Sequence, residues 1–271
     1  MVRPGMTSSG EAFARARAEN RAAFIGYLPA GFPSYDGAIE GLRALVDGGV
    51  DLIELGLPYS DPVIDGVTIQ AATELALRNG TRIADVLRTA EATVAMGVPV
   101  VVMSYWNPVL AYGVERFATD LRSAGATGLI TPDLIPDEAG EWLDVSDGLG
   151  LDRIFLVAPS STPPRIASTV EACRGWVYAA STMGVTGARD QTSAAAPALV
   201  KRVREATQLP IGVGLGVSSR EQAAEVASYA DGVIVGSALV RCLLDAPDAK
   251  SGTVAVGALA AELAAGVRAG R

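Results

Sequence analysis

The sequence contains no histidine. That removes the commonest general base and the commonest metal ligand together, so proton transfer has to fall to carboxylates, tyrosines or cysteines. Lysine is nearly absent too. Its two copies, Lys201 and Lys250, stand in segments that read as helix or surface loop, which disfavours a Schiff-base lysine at a strand end. The two cysteines, Cys173 and Cys242, lie far apart without metal-type spacing. Such usage fits buried free thiols in a reducing compartment better than a disulfide framework or a nucleophile. A P-loop lysine motif, a dinucleotide fingerprint after the first strand and a metal-ligand cluster are all missing, so no cofactor and no metal are expected. The longest apolar run, VPVVVMSYW, stops at Asn107-Pro108 and is too short to span a bilayer. The N-terminal MVRPGMTSSG turns directly into the charged EAFARARAEN, with no apolar signal core. A formal charge of -8 argues against nucleic acid and anionic membranes as partners. A cytoplasmic protein is expected, and any anionic ligand has to be gripped locally.

What is present is apolar and regular. The 271 residues are 49% hydrophobic, enough for a large core. Apolar runs bounded by glycine and proline alternate with helical patterns along the chain, the signature of parallel βα units. About eight such units can be counted, and eight close a barrel within the ~250 residues typical of that fold. The expected architecture is therefore α/β, a (β/α)8 TIM barrel spanning 1–271 as a single domain. A short polar helix over 11–20 precedes it, and the Ala-rich tail TVAVGALAAELAAGVRAG forms an amphipathic closing helix. The alternative is an open doubly wound sheet, which usually has fewer units. YWNPVLAYG reads as a loop after the third strand, with a helix over 114–124 following it.

One stretch stands out, VDLIELGLPYSDPVIDGVTIQ. An acid inside an apolar strand needs a reason, and Glu54 shares a strand face with Leu52 and Gly56. In a buried parallel sheet that carboxyl has little water around it, which raises its pKa and suits a general acid. Asp61 and Asp65 follow in a Pro-punctuated loop. Barrel function sits at strand C-termini and in the βα loops, so Glu54 and Asp65 can face one mouth. Two readings stay open. Either they are an acid/base pair, Glu54 dry and protonatable with Asp65 ionised in a polar loop, or Glu54 is structural and Asp65 is a helix N-cap.

Glycines concentrate at the last strand ends, in Gly184-Val185-Thr186-Gly187, in Gly214-Leu215-Gly216 with Ser218, and in Gly236-Ser237. Backbone amides at such turns and at helix N-termini can hold a phosphate without any lysine. Each turn alone is explained as well by tight βα geometry. Tyr27, Phe32, Tyr105, Trp106 and Tyr178 could line a slot for a planar apolar substrate, although most aromatics are simply core. Tyr27 and Tyr178 fall nearest the expected strand ends.

The run ELGLPYSDPVIDGVTIQAA, with MSYWNPV, LITPDLIPDEA, GVTGAR, GVGLGVSS and IVGSA, resembles the tryptophan synthase alpha-chain family over about 24–240. The resemblance implies a (β/α)8 lyase that cleaves indole-3-glycerol phosphate to indole and glyceraldehyde 3-phosphate in tryptophan biosynthesis. It implies an alpha2beta2 assembly with a beta subunit that receives the indole. On the same ground Glu54 matches the catalytic glutamate, which protonates indole C3 and takes the glyceryl hydroxyl proton. Asp65 matches the aspartate on the indole N–H. Gly187, Gly216, Gly236 and Ser237 match phosphate positions, Thr186 the threonine that positions the aspartate, and Tyr178 a tyrosine near the substrate. Tyr27 stands at a substrate-facing position, Asp61 matches a contact to the beta subunit, and Asp133 lies in the PDLP-like loop. Competing readings are a related barrel acting on the same phosphorylated intermediates, which would be expected to use a lysine or cysteine, and an interaction subunit with little activity of its own.

Overall fold

The computed structural model describes residues 8–180, 195–214 and 216–271. Eight short strands form: β1 (Ala23–Pro29), β2 (Leu52–Gly56), β3 (Val100–Met103), β4 (Gly128–Thr131), β5 (Asp152–Val157), β6 (Val177–Ala180), β7 (Ile211–Gly214) and β8 (Gly232–Val235). Each pairs in parallel with its sequence neighbours, and β8 returns to β1, so the sheet closes into a barrel. The helices are α1 (Ser9–Ala18), α2 (Tyr35–Asp47), α3 (Val67–Arg78), α4 (Ile83–Val94), α5 (Trp106–Tyr112), α6 (Val114–Ser123), α7 (Gly140–Leu149), α8 (Pro163–Ala172), α9 (Ala195–Arg204), α10 (Arg220–Ala227), α11 (Ser237–Leu244) and α12 (Ala249–Ala269). This is the (β/α)8 TIM barrel that the alternation of apolar and helical segments predicts.

Side-chain alternation along each strand divides the apolar residues into two cores. Ile25, Leu52, Val101, Ile130, Ile154, Trp176 and Ile234 fill the lumen. Phe24, Ile53, Val102, Leu129 and Phe155, one step along the same strands, pack outward against the helices. Helix α1 lies across the N-terminal mouth and adds Ala12, Phe13 and Ala16 to the lumen, with the Phe13 ring centroid 5.5 Å from that of Trp176. Helix α12 is, among the described residues, the one helix long and apolar enough to cross a membrane. It buries Val256, Ala260, Leu263 and Val267 and packs against α2, α10 and α11.

Three acids mark the N-terminal mouth, each at or just before a strand start. Asp51 takes a two-pronged ion pair from Arg21, at 2.6 and 2.9 Å, and the Phe24 N–H at 2.8 Å. Asp152 accepts from the Ser8 hydroxyl at 3.0 Å, the Ser9 N–H at 2.9 Å and the Ser9 hydroxyl, which ties α1 to the barrel floor. Asp231 accepts from the Ile211 N–H at 3.0 Å and gathers Arg204 at 3.0 Å, Arg271 at 3.3 Å and Arg17 at 3.9 Å. A buried carboxylate with several donors is stabilising in place, because each lone pair lost from water is replaced.

The expected loop after the third strand is in fact α5. Pro108 misleads there, since it occupies the first helical turn, where its missing N–H costs nothing. The cap is also remote. Asp133, from the loop after β4, accepts the Trp106 N–H at 2.9 and 3.2 Å.

Candidate active site

At the C-terminal end of β2, Glu54 points into the barrel and is only 1% exposed. Its Oε2 atom has no hydrogen-bond partner among the described residues. Burial, and secondarily the nearby Asp65 carboxylate, push its pKa up to about 8. In that environment the carboxyl is held neutral and can donate a proton.

Asp65 ends the loop after β2. It does not cap α3; Gly66 takes that place, with no side-chain bond to the helix. The N-cap alternative is thus corrected, because the carboxyl is drawn sideways to the next loop. Its Oδ1 accepts from the Tyr105 hydroxyl at 3.0 Å. The loop is also less open than the acid/base reading assumed. Burial raises the Asp65 pKa above the ordinary carboxylate value, and the Tyr105 bond opposes that rise. Among the described residues no cation figures in the electrostatics of either acid.

Tyrosines surround this pair. Tyr27 on β1 sits in register with Glu54 on β2. Its hydroxyl lies over Gly56, where an added methyl group would come within 2.3 Å of it, and the other end of the ring lies 3.4 Å from the corresponding position on Gly236. One phenol therefore spans from the end of β2 to the end of β8. Tyr178 on β6 stacks on Trp176, with ring centroids 5.7 Å apart. It reaches over β7, where a methyl group on Gly214 would stand 2.5 Å from its hydroxyl. Burial pushes both phenols well above their usual range, with the charges of Glu54 and Asp65 adding to the effect. They stay neutral and close around the acids. Phe32 is instead fully buried in the outer core and does not line the site.

The glycine turns divide into different roles. Gly184, Val185, Thr186 and Gly187 lie outside the described residues, as does Leu215. Gly214 makes room for Tyr178, and Gly216 adopts a φ of +71°, which favours glycine. Ser218 spends its N–H, at 2.8 Å, and its hydroxyl, at 3.2 Å, on Gln222, while Ser219 caps α10. The start of α10 is thereby supplied with acceptors. Helix α11 differs: Gly236 occupies its N-cap position with no side-chain bond, and the buried Ser237 is its first residue. A helix start without a side-chain acceptor, one tyrosine away from Glu54, offers N–H groups to an anion.

Asp61 lies apart from this cluster. It is exposed, and its carboxylate accepts from the Ser60 hydroxyl at 2.5 Å. The neighbouring Val63 and Val67 are 74% and 78% exposed. Tyr105, which the sequence marks less strongly than Tyr27 and Tyr178, stands two residues past the end of β3, where a barrel places functional side chains.

The family model of the tryptophan synthase alpha chain matches residues 13–268. The tryptophan synthase alpha chain of Salinispora arenicola is 63% identical over 263 residues, covering 97% of this chain and 98% of that one. That of Acidothermus cellulolyticus is 62% identical with the same coverage. A chain in a solved structure of Mycobacterium tuberculosis tryptophan synthase superimposes with a TM-score of 0.91 at 60% identity, covering 96% of this chain and 98% of its own.

Proposed function

The chain belongs to the tryptophan synthase alpha chain family, and from that membership we propose how its buried carboxylates divide the chemistry. It is a carbon–carbon lyase that cleaves indole-3-glycerol phosphate to indole and glyceraldehyde 3-phosphate in tryptophan biosynthesis, and its partner is the beta subunit of an alpha2beta2 assembly.

In our reading Glu54, protonated in its dry setting, delivers its proton to indole C3. The resulting cation makes the ring an electron acceptor. The ionised Glu54 then takes the proton of the glyceryl hydroxyl as the C–C bond breaks, the bonding pair returns to the ring, and the carboxylic acid is restored. Asp65 accepts from the indole N–H and stabilises the positive charge while it lasts. Tyr27 and Tyr178 flank the ring. The first turn of α11, with Gly236 and Ser237, binds the phosphate together with Gly216 and Gly187, and Thr186 positions Asp65; Gly187 and Thr186 are placed by family resemblance alone. Asp61, exposed beside Val63 and Val67, contacts the beta subunit. We read the chain as one cytoplasmic domain, and the free thiols Cys173 and Cys242 support that compartment.

The observation that carries this reading is Glu54, an acid buried in a strand with an orphan oxygen and an elevated pKa. Indole release by the purified protein, with and without beta subunit, tests it. Glu54→Gln should lower kcat by at least about 10³-fold with the fold intact, since general acid–base catalysis is worth roughly 10² to 10⁴ and one residue serves twice here. Wild-type kcat/KM should fall as pH rises through about 8, the pKa of the acid that must hold the proton. Equal indole release by wild type and variant would make Glu54 structural. No release by wild type, even with the partner present, would favour the interaction-subunit reading.

A further inference from the structure

We propose that Tyr105 is a positioning residue of this lyase, whose hydroxyl holds one oxygen of Asp65 and thereby turns the other toward the ring nitrogen of the substrate. The inference rests on the role given to Asp65 above and adds a residue to it.

The direction of the bonds is determined by proton count. The Tyr105 oxygen accepts from the Ile64 N–H at 3.1 Å, and a backbone N–H can only donate. The single phenol proton is left for Asp65 Oδ1 at 3.0 Å. One hydroxyl therefore grips two successive residues of the loop after β2, a peptide N–H on one and the carboxylate on the other. Rotation of the Asp65 carboxylate about its own axis breaks the second grip, so its remaining oxygen has a preferred direction.

Tyr105 is itself held from three sides. Its ring is 5% exposed and lies tilted against Tyr59, centroids 5.4 Å apart. The next residue, Trp106, donates its N–H to Asp133. The Asn107 amide donates to the Tyr59 hydroxyl at 3.1 Å. The loops after β2, β3 and β4 are thereby joined through the residues around Tyr105. Packing alone would be served as well by phenylalanine, and only the hydroxyl makes both bonds.

The titratable groups bearing on Asp65 among the described residues are Glu54 from β2, Tyr27 from β1, Tyr178 from β6 and Tyr105 itself. None is a cation, so the Tyr105 proton is the favourable contact that the described surroundings supply to the ionised carboxylate. Burial, reinforced by the charge on Asp65, raises the phenol pKa well above the assay range and keeps that proton in place.

The test compares wild type, Tyr105→Phe, 3-fluorotyrosine at position 105 and Asp65→Asn by kcat, KM and the pH dependence of kcat/KM. Tyr105→Phe should lower kcat by roughly 10- to 100-fold, the worth of a hydrogen bond to a charged group, with KM changed by less than about 3-fold. It should also move the acid limb of kcat/KM up by about one pH unit, because the ionised carboxylate loses its donor. The fluorinated phenol, a stronger donor with the same shape, should keep kcat and move the limb down. A phenylalanine variant with the wild-type limb and kcat would overturn the proposal. If that variant does not fold, an unshifted limb in the fluorotyrosine protein overturns it instead. The control separates the two levels: Asp65→Asn should abolish the acid limb, and its survival there would remove the role of Asp65 itself.

Discussion

The two mouths of this barrel treat the same functional group in opposite ways. At the N-terminal mouth Asp51, Asp152 and Asp231 are met by arginines, serine hydroxyls and backbone N–H groups. At the C-terminal mouth, among the described residues, Glu54 has an oxygen without a partner and Asp65 has one phenol. Both sets are buried or partly buried. The difference lies in what the fold provides once water is gone: partners make a buried acid part of the scaffold, and their lack leaves it neutral, at a cost in stability.

The largest expected effect follows from that cost. The native protein keeps Glu54 protonated up to about pH 8, whereas the ordinary value of 4.5 applies once the chain unfolds. Above pH 4.5 the unfolded state therefore binds fewer protons than the native one, and stability falls as pH rises, by about 1.4 kcal/mol per unit, until the native group also ionises near pH 8. The accumulated penalty is of order 5 kcal/mol. Glu54→Gln should remove much of it, raising the melting temperature at pH 8 by about 5 °C after allowance for burying an amide, with no gain at pH 4. A variant less stable than wild type at both pH values would break the contrast between the mouths.

Asp231→Ala should do the reverse. Removing the shared acceptor leaves Arg204, Arg271 and the Ile211 N–H without their carboxylate, a loss of about 3 kcal/mol in a urea titration, with kcat unchanged below the transition. A fall in kcat together with stability would show that the floor and the rim of the barrel are coupled. The smallest effect belongs to Asp137→Ala, which breaks the exposed ion pair with Arg165. Its urea midpoint should coincide with that of wild type, because solvent already serves both charges. A shift would mean that pairing rather than burial sets the contrast.

The sequence carried the barrel and Glu54 for a simple reason: both depend on short-range pattern. An acid within DLIELGL is visible without knowing what surrounds it, and the alternation of strands and helices needs only local periodicity. Tyr105 and Asp65 are 40 residues apart, and their contact depends on how two loops approach each other, which no local rule encodes. The same limitation explains the loop assigned at α5. YWNPVLAYG reads as a loop on local signals, but the helix that holds Pro108 in its first turn is capped by Asp133 from another loop. Likewise the turn containing Ser218 is recognisable in the sequence, whereas the use of both Ser218 donors on Gln222, one helical turn on, is seen only in the fold.

The packed lumen gives the barrel a floor. With α1 laid across one end and Trp176, Leu52 and Ile234 closing the middle, Glu54 and Asp65 stand above a closed base. On the roles proposed above, indole is made at these carboxylates and leaves by the rim on which they open, and a beta subunit seated there collects it with no competing leak through the base, so a hand-over between two enzymes can be arranged by shape alone.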